Sequence, residues 1–205
     1  KVPKQFLKLD DQSILEHALE PFCDHPMIEQ IVIVCDSSYQ DQISLEKIQK
    51  KVTFANPGKE RQDSLFNGLL ALKEENPLVM VHDAARPFFN RDYVKPLIEN
   101  ASAHGAAILA IKASSTLKEV SDDRFVIKTL DRSIIWEIQT PQVAFKEVLI
   151  RGLKKAKEED IILTDEASVV EFLGLKVKIV EGNSLNFKIT SKEDILLAQS
   201  YYKDS

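Results

Sequence analysis

Short runs of consecutive apolar residues alternate with longer stretches in which apolar residues recur every three or four positions. The runs are Ile31-Val32-Ile33-Val34-Cys35, Val52-Thr53-Phe54-Ala55, Leu78-Val79-Met80-Val81 and Ala106-Ala107-Ile108-Leu109-Ala110-Ile111. A strand flanked by helices on both faces of a sheet has no polar side to show, so it reads as an unbroken apolar run. Strands that alternate with helices are joined by right-handed crossovers. The expectation is therefore an α/β fold with a mostly parallel, Rossmann-like sheet and helices on both faces.

The helical stretches carry their own end signals. Ser13-Ile14-Leu15-Glu16 is a capping box, and Ile14, Leu15, Ala18, Leu19 and Phe22 continue at helical spacing, which predicts a helix over 13–23. Leu65, Phe66, Leu69, Leu70 and Leu72 form one apolar face after the break at Asn56-Pro57-Gly58, and Tyr93, Leu97 and Ile98 mark another helix to about 103. Further helices are expected over 145–158, from Thr164-Asp165-Glu166 to Gly174, and from Ser191 through Tyr201, with a weak one near 41–50. Lys176 to Val180 and Leu185 to Ile189 read as strands, Lys1 to Leu9 as a loop leading into the fold, and Trp136 to Pro141 as a return to the body. The rhythm changes over 113–135. There, Thr116 to Val120 and Phe125 to Leu130 alternate around a polar turn, as the two arms of a hairpin. A hairpin alone is marginal in water, so this one calls for a partner surface, most simply a second subunit.

Two places favour a ligand. Leu78 to Val81 stops abruptly at His82-Asp83-Ala84-Ala85-Arg86-Pro87, and in open α/β sheets ligands gather just beyond the carboxyl ends of the strands. The loop Asn56 to Arg61 then opens a helix, whose N-terminal amides suit a phosphate or a base edge. Composition narrows the partner. With 205 residues the chain suits one domain, and its net charge of −5 argues against a scaffold for nucleic acid. A local group of bases can still receive a small anion. The two cysteines, Cys23 and Cys35, have no disulfide or metal spacing and read as reduced core residues of a cytoplasmic protein. No apolar run is long enough to span a bilayer.

Seven breakpoints in order resemble one family across essentially the whole chain. They are Pro3-Lys4-Gln5, Gly58-x-x-Arg61-x-x-Ser64, His82-Asp83-Ala84-Ala85-Arg86-Pro87, Asp131-Arg132, Gln139-Thr140-Pro141-Gln142, Thr164-Asp165-Glu166-Ala167-Ser168 and Asn186-x-Lys188-Ile189-Thr190. The family is 2-C-methyl-D-erythritol 4-phosphate cytidylyltransferase. The resemblance implies a single nucleotidyltransferase domain over 1–205 that joins CTP and methylerythritol phosphate, releasing pyrophosphate, on the non-mevalonate route to isoprenoid precursors. It implies Mg²⁺ as cofactor and Lys4 and Lys188 as the cations acting on developing charge. Gly58, Arg61, Ser64, Asp83 and Ala84 fall to the nucleotide. Asp83, Arg86, Thr116, Arg132, Thr140, Thr164 and Lys188 fall to the polyol phosphate. Asp83 is also the candidate metal ligand, with metal, ribose and polyol all open as its partner, while Arg86 is a substrate contact or an orienting partner of Asp83.

The resemblance further implies a homodimer in which Arg132, and with it Thr116, reaches the site from the neighbouring subunit's hairpin. His82 reads as structural. Two departures stand out. The family's Gly-Gly is Pro57-Gly58 here, and the first strand and glycine-rich CTP loop expected before Pro3 are absent from a sequence that opens at Lys1. The expectation is that this segment was trimmed; without it, catalysis is compromised. Two other readings stay open: a ribitol-phosphate cytidylyltransferase, and a catalytically inactive nucleotide-binding subunit.

Overall fold

The computed structural model describes residues 3–203. Residues 1–2, part of the expected leading loop, lie outside the described residues. Lys4–Phe6 forms a 3-10 turn, and β1 (Lys8–Leu9) pairs with β2 (Gln12–Ser13). The expected capping box is present at α1 (Ile14–Leu19): the Ser13 amide donates to Glu16 Oε2 at 2.6 Å, and the Glu16 amide donates to Ser13 Oγ at 3.2 Å. A 3-10 turn, Glu20–Phe22, extends it.

β3 (Gln30–Val34) and β4 (Lys51–Ala55) pair in parallel. The weak helix expected near 41–50 is not formed: a 3-10 helix covers Ser37–Gln42, and the segment after it is irregular. Its backbone is held from elsewhere, with the Ser44 amide on Glu16 Oε1 at 3.2 Å and the Gln49 amide on Cys23 O at 2.9 Å, so tertiary bonds replace helical ones. α2 (Arg61–Ala71) leads to β5 (Leu78–Val81), and α3 (Val94–His104) leads to β6 (Ala106–Lys112). The exposed hairpin of β7 (Lys118–Val120) and β8 (Val126–Thr129) follows where expected.

The return segment is instead a long strand, β9 (Trp136–Phe145), inserted antiparallel between β6 and β5. α4 (Lys146–Glu158), α5 (Glu166–Phe172), β10 (Lys178–Glu181) and α6 (Lys192–Lys203) complete the chain. The α/β class holds: in the four-stranded sheet, ordered β10-β6-β9-β5, the strands β10, β6 and β5 run the same way and β9 runs against them. The strand expected over 185–189 is not formed. The Asn183 side chain accepts from the Leu185 and Asn186 amides, and the Ile189 amide donates to Ala85 O at 2.8 Å, tying this segment to the loop after β5.

Helices cover both faces of the sheet, as its period of two demands. Ala107, Leu109 and Val143 pack with Leu15, Phe22, Leu97 and Ala101 of α1, its extension and α3. Their neighbours Ala106 and Ala144 pack with Leu69, Leu149, Leu153 and Val169 of α2, α4 and α5. Among the described residues β3 and β5 each have one strand partner, and residues of both line an apolar slot of about 680 Å³ that also takes in Leu65, Leu69 and Val143. No described helix is long and apolar enough to cross a membrane.

Candidate active site

The loop after β5 is fixed by its own neighbours before any ligand arrives. The Asp83 amide donates to Thr140 Oγ1 at 3.0 Å, and the same hydroxyl lies 3.0 Å from His82 Nδ1. His82 Nε2 lies 3.1 Å from Arg86 O, so one imidazole ties both ends of the Asp83 to Arg86 turn to β9. Burial pushes the His82 pKa down to about 4, and its ring sits against Phe22 and Phe89 as a neutral group.

Asp83 gathers cations from three separate elements. Lys188 Nζ is 2.9 Å from Oδ2, Arg86 Nε 3.7 Å from the same oxygen, and Arg61 Nη2 3.5 Å from Oδ1. Burial works to raise the Asp83 pKa, but the hydrogen bond and charge of Lys188, then the charges of Arg61 and Arg86, carry it below the ordinary carboxylate value. Arg86 is largely committed to the protein. Its Nη1 donates to Asn186 O at 2.6 Å and its Nη2 to Ile138 O at 3.4 Å, so it orients Asp83 and braces the Lys188 segment. The Asn186 amide group donates to Thr140 O at 2.8 Å, which closes the brace.

The second element is the loop before α2. A side chain at Gly58 would run into Asp63, so only glycine fits. The Gly58 amide donates to Ser64 Oγ at 3.0 Å, and the Glu60 amide donates to Asp63 Oδ2 at 3.1 Å. Gly58, Arg61 and Ser64 are thus one structural unit, with Arg61 as its link to Asp83. The third element is the first turn of α5. Asp165 caps it through the Ser168 amide at 2.9 Å, and Gln142 pins it to β9, accepting from the Ala167 amide at 2.8 Å and donating to Asp165 Oδ2 at 3.1 Å.

Of the residues expected at the site, Gly58, Arg61, Ser64, Asp83, Arg86, Thr140 and Lys188 are joined in this way, with Ala84 beside Asp83 in the turn. Thr164 is exposed just ahead of α5. Lys4, Thr116 and Arg132 are exposed as well, and among the described residues no hydrogen bond or ion pair links them to the Asp83 cluster. Arg132 Nη1 instead donates to Ser114 O at 2.8 Å. Sequence reasoning missed Glu166, whose carboxylate takes the fork of Arg61, and Gln142, although both stand inside quoted motifs. No group of three or more His, Cys, Asp or Glu side chains is arranged to hold a metal among the described residues. Mg²⁺ does not require such a group, being commonly held through one or two carboxylates together with substrate phosphates.

A cation cluster around one carboxylate at a strand's carboxyl end, beside a glycine loop that opens a helix, defines an α/β protein that handles phosphorylated small molecules. The family model for 2-C-methyl-D-erythritol 4-phosphate cytidylyltransferase matches residues 1–204, and the chain belongs to that family of nucleotidyltransferases. Among named relatives, the chloroplastic cytidylyltransferase of Oryza sativa subsp. japonica is 43% identical over 97% of this chain and 67% of its own length. That of Mannheimia succiniciproducens is 39% identical over 97% of this chain and 87% of its own. In structure, the chain is similar to the 4-diphosphocytidyl-2C-methyl-D-erythritol synthase of Anaerococcus prevotii, with a TM-score of 0.89 and 31% identity over 96% of this chain and 88% of that one. It is similar also to the Francisella tularensis cytidylyltransferase, with a TM-score of 0.86 and 32% identity over 97% and 93%.

Proposed function

We propose that this protein transfers the cytidylyl group of CTP to 2-C-methyl-D-erythritol 4-phosphate, in the non-mevalonate route to isoprenoid precursors. A phosphate oxygen of the polyol attacks the α-phosphorus of CTP, the bond from that phosphorus to the β-phosphate oxygen breaks, and pyrophosphate leaves. The observation that carries the reading is the convergence of Arg61, Arg86 and Lys188 on Asp83. An in-line displacement between two phosphates needs fixed positive charge more than it needs a nucleophilic side chain.

Lys188 and Lys4 neutralise charge as it grows on the α-phosphate. Gly58, Arg61, Ser64 and Ala84 receive the nucleotide. Asp83 and Lys188, with Thr140, Thr164, Thr116 and Arg132, receive the polyol phosphate, and Arg86 serves by holding Asp83. The Asp83 carboxylate fits a Mg²⁺ site completed by the triphosphate, and the bound ion would supply further charge neutralisation there. The protein acts as a homodimer, with the exposed Phe125, Val126 and Ile127 of the hairpin covered by the partner and Arg132 delivered to its site. The buried, unpaired Cys23 and Cys35 suit the cytoplasm. Pyrophosphate release with CTP and each alcohol phosphate tests the assignment. Methylerythritol phosphate is expected to turn over faster, and preference for ribitol phosphate would overturn it.

A further inference from the structure

Arg61 stands between two carboxylates and treats them unequally. Its Nη1 and Nη2 donate to the two oxygens of Glu166 at 2.8 and 3.0 Å, a bidentate pair. Its approach to Asp83 Oδ1 is 3.5 Å, too long for a good hydrogen bond. Glu166 is only 2% exposed, and Arg61 is its sole ion-pair partner among the described residues. A carboxylate buried to that degree without a partner is costly, so it holds the guanidinium firmly. The hold is also rigid. Glu166 opens α5, whose first turn is fixed by Gln142 and Asp165, and Arg61 opens α2, whose first turn is fixed by Asp63 and Ser64.

The consequence falls on Asp83. Its Oδ2 is taken by Lys188 at 2.9 Å, whereas among the described residues Oδ1 has only the loose contact with Arg61. We propose that Glu166 is a positioning residue: by occupying the fork of Arg61 it keeps that guanidinium from closing on Asp83, so that Oδ1 stays open to an incoming hydroxyl or cation. This rests on the function proposed above, in which Asp83 contacts substrate. Plain charge counting leads to the opposite outcome. Three cations and two carboxylates leave the cluster with +1, and neutralising Glu166 makes it +2. On charge alone, Glu166→Gln would bind anionic substrates more tightly and lose no turnover.

The positioning role separates from this, and from a mere tie between α2 and α5, in Glu166→Gln and Glu166→Asp variants of the full-length protein. In Glu166→Gln the Arg61 to Asp83 distance should contract to a direct hydrogen bond of about 3 Å in a crystal structure. Its kcat should fall about tenfold or more, with the KM for CTP changing less than about threefold. Glu166→Asp keeps the charge on a shorter stem and should fall between Glu166→Gln and the parent in both distance and kcat; it decides the matter alone if the glutamine variant does not fold. An unchanged Arg61 to Asp83 distance, or a kcat near the parental value at a temperature where both variants are folded, overturns the proposal. A parent that releases no pyrophosphate from CTP and methylerythritol phosphate overturns the function instead, and the distance then decides the role of Glu166.

Discussion

The floor beyond β5 and the hairpin of β7 and β8 are built on opposite terms. On the floor, charged groups are matched within the chain, the buried Glu166 with Arg61, Asp83 with Lys188, and the buried Arg86 with the carbonyls of Asn186 and Ile138. On the hairpin, apolar side chains are left in water, with Phe125 71% and Ile127 58% exposed, and a single internal ladder holds the arm together. A cation cluster gathered on two largely buried carboxylates holds its geometry from within the chain. An exposed apolar arm presents Arg132 but gives it no in-chain site. The difference teaches that one chain by itself assembles the Asp83 end of the proposed site, whereas Arg132 has no place in it within the same chain.

The largest expected effect lies on the floor. Lys188→Ala should lower kcat by about 10²- to 10³-fold, the range seen when one group stabilising transition-state charge is removed. The same variant should melt close to the parent, since Lys188 is 38% exposed and its pair with Asp83 is not sealed from solvent. Steady-state kinetics beside a thermal melt checks both, and unchanged turnover removes Lys188 from the chemistry. Next comes the arm. Arg132→Ala should raise the KM for the polyol phosphate by roughly ten- to a hundredfold, the worth of one charge-assisted contact, while leaving the KM for CTP nearly unchanged. An equal rise in both would dissolve the contrast between the two regions.

A smaller effect is expected at the tip of the arm. Phe125→Asp should weaken self-association by roughly tenfold or more without lowering the melting temperature of the isolated protomer, because its ring touches no core cluster. Sedimentation at several concentrations measures it, and an unaltered oligomeric state would mean the arm is covered by something else. The smallest effect returns to the floor. His82 has its pKa held down to about 4 against an unfolded value near 6.5, so the unfolded chain binds the proton first and stability falls as pH drops below 6.5. Between pH 7 and 5.5 this costs about 1 kcal/mol. Denaturant titrations at both pH values should show that loss in the parent, and His82→Asn should lack it.

The floor was legible in the sequence wherever a motif ends an apolar run, because a strand end followed by Asp83 and Arg86 announces itself locally. The partners of those residues were legible only in part. Glu166 reads as an ordinary first-turn acid beside the cap Asp165, and nothing local shows that its carboxylate faces Arg61, 105 residues away. β9 escaped for a different reason: Pro141 and the polar Glu137, Gln139 and Gln142 break the apolar pattern of a central strand. Those polar groups are satisfied from the side, Gln139 by Asn183 O and Gln142 by the first turn of α5, which a period count does not register. The segment over 185–189 alternates like a strand yet serves to fasten Lys188 beside Asp83. Its pairing with Ala85 O is a tertiary choice that the residues themselves leave open.

The claim that the site is completed across two subunits is tested most directly by mixing Arg132→Ala with Lys188→Ala and allowing protomers to exchange. At polyol phosphate concentrations well below the raised KM of Arg132→Ala, each variant alone turns over slowly. In a mixed dimer, one site joins an intact Lys188 to the partner's intact Arg132. Random exchange of equal amounts should therefore restore about a quarter of the parental activity. No recovery, with exchange verified by a mass tag on one variant, would contradict the account.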